Sequence, residues 1–206
     1  MQVVVLAHEW QKSEWKDRLE NVFWISDAGE FSSHASAGAF VDLAFEPTTE
    51  RIALLQTLLP KPVLINSVSE TLAETDLGFI RFNGWNTFLS SPVWEAACSS
   101  EEAKQKGEAV FALLRKTPEW LPDAPGFVTP RVVSAIINEA FLALEEGVST
   151  KEEINTAMML GTAYPYGPFE WGEKIGLATI ARLLQKMGQS QSRYTPAPLL
   201  AKEALT

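Results

Sequence analysis

Apolar positions recur with two rhythms along the chain, and the change between them falls near residue 120. Before it, short β-branched runs alternate with stretches of helical spacing. Residues 2–7 read as a strand, 13–20 as a short helix and 21–26 as a second strand, with Val-Phe-Trp-Ile at its centre and Asp27-Ala28-Gly29 stopping it. Residues 40–45 read as a third strand. The 49–59 stretch spaces Ile52, Leu54, Leu55, Leu58 and Leu59 as a helix does, until Pro60-Lys61-Pro62 breaks it and 63–65 returns to strand. Further strands are expected at 79–82 and 93–98. A 101–116 helix carries Ala109, Val110, Leu113 and Leu114 on one face. Strand, helix, strand at this interval predicts parallel crossovers and a doubly wound sheet.

Residues 120–126 hold two prolines and a glycine, which interrupt any helix, and mark the expected boundary. Beyond them every apolar period is helical. The 131–146 helix puts Val132, Val133, Ile136, Ile137, Ala140, Phe141 and Leu144 on a broad apolar face, and Gly147 ends it. Ser149-Thr150-Lys151-Glu152 reads as a capping box, hydroxyl and carboxylate each satisfying a free backbone N–H. Its helix is expected to run to Leu160 with Gly161 as C-cap. Pro168 suits the first turn of a next helix, and 179–187 forms another. The fold class is therefore α/β plus all-α, with a parallel-sheet domain in 1–120 and a helical domain in 121–206. The apolar face of 131–146 exceeds what one small domain covers, so a homodimer through the helical domain is expected.

Composition narrows the function classes. A net charge of −9 opposes nucleic-acid binding, which needs clustered Lys and Arg against phosphate. No apolar run reaches the ~20 residues of a membrane span, and no basic-then-apolar leader opens the chain, so a cytoplasmic location is the expectation. Cys98 is the single cysteine, which rules out an intrachain disulfide and a thiolate metal cluster. His8 and His34 are the two histidines, and neither has zinc-site spacing, so no metal is expected. His8 ends the first strand, where α/β sheets place ligands.

The run from Pro125 to Leu177 holds Pro125-Gly126-Phe127-Val128-Thr129-Pro130-Arg131, then Ala157-Met158-Met159-Leu160-Gly161, Tyr164-Pro165-Tyr166-Gly167-Pro168-Phe169-Glu170 and Ile175-Gly176-Leu177. In order and spacing these phrases resemble the helical C-terminal domain of the 3-hydroxyacyl-CoA dehydrogenase family. The resemblance implies a Rossmann-like NAD-binding half upstream, a helical domain that dimerises, and oxidation of a 3-hydroxyacyl-CoA with NAD in acyl-CoA or fatty-acid metabolism.

Followed upstream, the same resemblance exposes losses. A dinucleotide fold needs glycines after its first strand so that pyrophosphate can approach backbone N–H groups. Here His8-Glu9-Trp10-Gln11-Lys12 follows. Asp27 lies where such folds put the carboxylate for ribose hydroxyls, but without the glycine loop it reads better as a strand-ending turn residue. The family's helical excursion after this strand, which contributes to CoA binding, is reduced to about a dozen residues before Phe40. Asp42-Leu43-Ala44-Phe45-Glu46 resembles the family's D-x-x-x-E, which places Glu50 beside the nicotinamide ribose; on its own Glu50 reads as a first-turn helix acid. Asn66-Ser67-Val68-Ser69 resembles S-N-T-S and makes Ser69 the substrate-binding serine, or else a strand-end serine.

Gly78-Phe79-Ile80-Arg81-Phe82-Asn83-Gly84 resembles G-L-H-F-F-N-P, and the catalytic histidine becomes Ile80. Isoleucine moves no proton, and general-base catalysis is commonly worth about 10²–10⁴-fold. Glu95 matches the carboxylate that orients this histidine once a short insertion is allowed, and Pro130 replaces the family's asparagine. The expectation is a degenerate homologue that keeps the fold to bind an acyl-CoA-like ligand or to scaffold a dimer. One alternative is an active NAD-dependent oxidoreductase on a 3-hydroxyacyl-CoA with relocated catalytic residues, and another is a changed chemistry that uses His8, Glu9 or Arg81 in the old cleft.

Overall fold

The computed structural model describes residues 1–15, 19–75 and 78–205. They form two compact units, Met1–Phe127 and Val128–Thr206. The first contains strands β1 (Val3–Leu6), β2 (Val22–Ile25), β3 (Ala39–Asp42), β4 (Val63–Asn66), β5 (Ile80–Phe82), β6 (Val93–Cys98) and β7 (Thr117–Trp120). They make one sheet in the order β2-β1-β3-β4-β5-β6-β7, parallel at every pair except β5–β6. The expected parallel α/β architecture is what the chain adopts. Val3-Val4-Val5-Leu6 is buried along its whole length, which is why an unbroken apolar run suits a central parallel strand covered on both faces.

Helices α1 (Glu9–Trp15), α2 (Glu30–Ser33), α3 (Thr49–Gln56), α4 (Leu72–Thr75) and α5 (Glu101–Leu113) connect the strands. Alternate strand residues feed two cores. Val3, Val5, Val41, Leu64, Ile80, Phe82 and Trp94 join Val110 and Phe111 of α5 in one. Val4, Leu6, Phe40, Ile65 and Phe79 join Phe31 of α2 and Leu55 of α3 in the other. Gly107 lets α5 settle on the sheet: a Cβ there would stand 2.6 Å from Ile80 Cδ1 and 3.1 Å from Trp120. Gly107→Ala is therefore expected to lower stability by about 1–3 kcal/mol through overpacking, against a helix-propensity gain of under about 1 kcal/mol. Urea unfolding checks it, and a net gain in stability would refute the packing argument.

Several sequence-based boundaries move, each for a local reason. The helix expected at 13–20 begins at Glu9, because the His8 carbonyl accepts the Gln11 and Lys12 N–H groups; residues 16–18 lie outside those described. The third strand stops at Asp42 instead of residue 45, since Leu43 offers its carbonyl to side chains from here on. The helix expected to reach 116 ends at Leu113: Arg115 takes a left-handed φ of 54°, and Lys116 turns inward to donate to the Leu89 and Ser91 carbonyls. β7 escaped the sequence reading because it contains Pro118, which an edge strand tolerates. With Trp120 paired into the sheet, the first unit runs on to Phe127, past the boundary read at 120.

The second unit contains α6 (Thr129–Glu145), α7 (Lys151–Thr162), α8 (Pro168–Ile175), α9 (Leu177–Gly188) and α10 (Pro198–Glu203). Val133, Ile137, Ala140 and Phe141 of α6 and Ile180, Leu183 and Leu184 of α9 are buried in this unit. The capping box is one residue later than expected: Thr150 accepts from the Glu153 N–H, and the Glu153 carboxylate reaches back to the Thr150 N–H. The helix it opens passes Gly161 and is capped by Ala163, at φ 56°.

Candidate functional site

The carboxyl ends of the parallel strands β1, β3, β4 and β5 lie on one side of the sheet, where open α/β folds hold ligands. Strand order reverses between β1 and β3. At that point His8 stands exposed, and its N–H donates to Gln11 Oε1 at 2.8 Å. Gln11 is buried, and its Nε2 donates to the Leu43 carbonyl beyond β3, also at 2.8 Å. One carboxamide thus ties the β1–α1 turn to the end of β3. Glu9 is exposed and pairs with Lys12 at 2.7 Å.

Asn66, the last residue of β4, donates to the carbonyls of Leu43 and Gly84 and accepts from the Gly84 N–H at 2.9 Å. A Cβ at Gly84 would meet Asn66 at 2.8 Å, so the glycine permits this close lacing. Ser67 and Ser69 follow, both largely buried, with the Ser67 hydroxyl donating to the Glu70 carbonyl. Arg81 of β5 sits beneath them, fully buried. Its Nε pairs with Asp123 at 2.5 Å, one terminal nitrogen donates to the carbonyls of Ser67, Val68 and Glu70, and the other donates to Ala124. Its guanidinium lies 4.1 Å from the Phe127 ring centroid. Asp123 also accepts the Leu72 N–H at the start of α4. Arg81 therefore organises the Ser67–Ser69 loop, binding its carbonyls and the Asp123 carboxylate together.

Glu95 on β6 is met by Asn83, whose Nδ2 donates to Glu95 Oε2 at 3.2 Å and whose backbone N–H donates to the Glu95 carbonyl. Ile80 lies elsewhere. It pairs in register with Cys98, and it packs in the core under α5 with Phe82, Trp94 and Ala96, whereas Glu95 alternates to the other face. If Glu95 is the orienting carboxylate, its neighbour in this chain is an amide, not the position that the motif alignment assigned to the base. Asn83 was missed because motif matching follows sequence, and the long 84–92 connection shifts the cross-strand register. Gln11 had an available signal: three residues after His8, it has the spacing of a side chain that reaches back to cap a helix start.

The remaining candidates stand apart. Asp27 is exposed beyond β2 and accepts the Gly29 N–H, while Glu30 accepts from Ser26 and Asp27, so both carboxylates cap the following turn. Glu50 is exposed in the first turn of α3. His34 lies against Phe23, ring centroids 4.3 Å apart. At the end of β3, Asp42 is wholly buried; its Oδ2 takes Arg51 at 2.7 Å and its Oδ1 has no hydrogen-bond partner. Burial pushes its carboxyl up to about 6, with Arg51 opposing that rise only in part. Among the described residues no three His, Cys, Asp or Glu side chains gather as a metal site, and no helix is long and apolar enough to cross a membrane.

Residues 126–205 match the model of the 3-hydroxyacyl-CoA dehydrogenase C-terminal domain. The helical half of the chain is thus similar to the C-terminal domain of the 3-hydroxyacyl-CoA dehydrogenase family. It is 40% identical over 112 residues to an Escherichia coli 3-hydroxyadipyl-CoA dehydrogenase, covering 53% of this chain and 24% of that one. It is 30% identical over 167 residues to a probable 3-hydroxybutyryl-CoA dehydrogenase of Bacillus subtilis, covering 75% of this chain and 58% of the relative. It thus spans less than two thirds of either. The crystal structure of (S)-3-hydroxybutyryl-CoA dehydrogenase from Ralstonia eutropha superposes with a TM-score of 0.72 at 24% identity, over 88% of this chain and 69% of that one, and shows the shared fold.

The family fold implies NAD, and the residues at the β1–α1 turn do not fit it. A pyrophosphate needs open backbone N–H groups and no side chains in its path. Here the His8 N–H is taken by Gln11, and residues 7–13 contain no glycine, so the turn carries the side chains of His8, Glu9 and Lys12. Asp27, the one carboxylate suited to ribose by position, is engaged in its own turn.

Proposed function

We propose that this chain is a 3-hydroxyacyl-CoA dehydrogenase-like protein that has lost NAD-dependent oxidation and keeps the fold to scaffold a dimer, with an acyl-CoA-like ligand as the candidate small molecule. The observation that carries this reading is the Gln11 carboxamide bridging His8 and Leu43 at the point where a dinucleotide would sit. The Asn83–Glu95 pair supports it, because an amide cannot take the hydroxyl proton in hydride transfer. Calorimetric titration with NAD is expected to give no binding tighter than about millimolar. Absorbance assays with 3-hydroxybutyryl-CoA are expected to show no NAD reduction, and neither Ile80→His nor Asn83→His restores it, since the cofactor still lacks a seat. Turnover near ~10 s⁻¹ in the unmodified chain would overturn the reading. His8, exposed at the end of β1, favours a relocated base in that case, and His8→Gln would then abolish the activity.

The dimer reading rests on apolar surface. In the single chain α7 buries none of its side chains, Leu160 is 82% exposed, and Val132 on α6 is 49% exposed. Light scattering at micromolar concentration is expected to report twice the chain mass, and Leu160→Asp to shift it towards the monomer. A single monomer-mass peak for the unmodified protein refutes the assignment.

A further inference from the structure

We propose that the open edge of the sheet at β2 docks an extended segment of another protein, apolar in its middle and basic at its ends. This goes beyond the reading above and does not depend on it. β2 is the terminal strand of the sheet. The carbonyls of Asn21 and Ile25 accept from Val3 and Ala7, so by the alternation of a parallel ladder the main-chain groups of Val22 and Trp24 turn away from β1. Natural edges are usually blunted by proline or charge. The opposite edge follows that rule, with Pro118 and Glu119 in β7. β2 does not: it reads Val-Phe-Trp-Ile without a charge or a proline, and Phe23 is 41% exposed. The short stretch between β2 and β3 contains α2 and no further strand, so among the described residues nothing continues the sheet beyond β2.

The flanks select the occupant. Glu20 and Asp27 are exposed at the two ends of the strand, with Glu30 beside Asp27. A second copy would bring these acids together between chains that each carry −9, and like charges across paired strands are destabilising. A four-residue edge also buries far less than the ~1,200–2,000 Å² of a stable globular interface. A short strand with Lys or Arg at its ends avoids the charge objection and, being a linear segment, has no globular interface to complete: it gains main-chain hydrogen bonds from Val22 and Trp24 and meets the acids with opposite charge. This is strand addition with charge-guided specificity.

The test uses the whole protein with a labelled synthetic peptide, Lys-Arg-Val-Thr-Val-Thr-Val-Lys-Arg, and its counterpart with Glu at every basic position. Anisotropy is expected to show saturable binding of the basic peptide, about tenfold weaker for the acidic one, and weakening as salt screens the flanks. Amide NMR is expected to place the largest shifts and new exchange protection at Val22 and Trp24. Phe23→Lys, at an exposed position, is expected to remove binding with circular dichroism unchanged. Val22→Pro deletes an outward N–H at the first strand position and gives an independent reading. Absence of saturable binding, equal affinity for both peptides, or shifts centred elsewhere overturns the proposal. So does self-association of the unmodified protein that Phe23→Lys abolishes, which would assign the edge to a second copy.

Discussion

Arg81→Met is expected to destabilise the α/β unit by about 3–5 kcal/mol, the range found when one partner of a buried ionic network is removed. Methionine matches much of the volume, so packing is not the main loss. The loss is that the carbonyls of Ser67, Val68, Glu70 and Ala124 all face the guanidinium, and Asp123 keeps a carboxylate opposite an apolar chain. Arg81→Lys should recover part of the loss and no more, because one ammonium cannot reproduce a planar fork that spreads over two chain segments. Urea unfolding measures both, and hydrogen exchange in residues 66–73 should rise in step. A Met variant within about 1 kcal/mol of the native protein would show that the loop holds itself.

Asp42 gives the second large effect, and its sign can be worked out. Its carboxyl is raised from 3.8 to about 6 in the folded chain, chiefly by burial. Between those values the folded state holds a proton that the unfolded state has released, so stability falls as pH rises through that window. The fall amounts to about 3 kcal/mol and is complete above pH ~6.5. Asp42→Asn should remove this slope, leaving a variant whose stability relative to the native protein improves steadily from about pH 4 to pH 7. Arg51→Met works in the opposite direction: it strands the ionised carboxylate and is expected to cost about 3–5 kcal/mol at neutral pH, and much less at about pH 4, where Asp42 is neutral. Denaturation series across pH decide it. Parallel pH profiles for the native protein and Asp42→Asn would reject the assignment of the proton to this group.

The strands were legible because β-branched runs such as Val3-Val4-Val5-Leu6 leave few alternatives once both faces are covered. The helical half was legible for a different reason, its Gly and Pro positions. What sequence patterns concealed were features decided across the sheet. Pro118 hid β7, and the register of Glu95 depends on the length of the 84–92 connection. Arg81 read as a candidate for relocated chemistry, and its structural role appears only when Asp123 and Ala124, more than forty residues away, come back to it. The loss of the glycine turn was plain in His8-Glu9-Trp10; that Gln11 bridges the gap to β3 required the geometry.

The return of residues 123–127 to Arg81 also bears on how this chain is made. A nascent chain whose emerged portion ends at Trp120 would have all seven described strands outside the ribosome yet would carry a bare arginine inside a dry core, with Gly126 not yet delivered to the Val68 carbonyl. Its α/β half therefore cannot commit to the folded state strand by strand. It must wait for a final handful of residues, which take about a second to synthesise. During that interval the apolar edge at Val22 to Ile25 is already exposed, so this is the moment at which a chaperone or a co-expressed partner has the most to recognise.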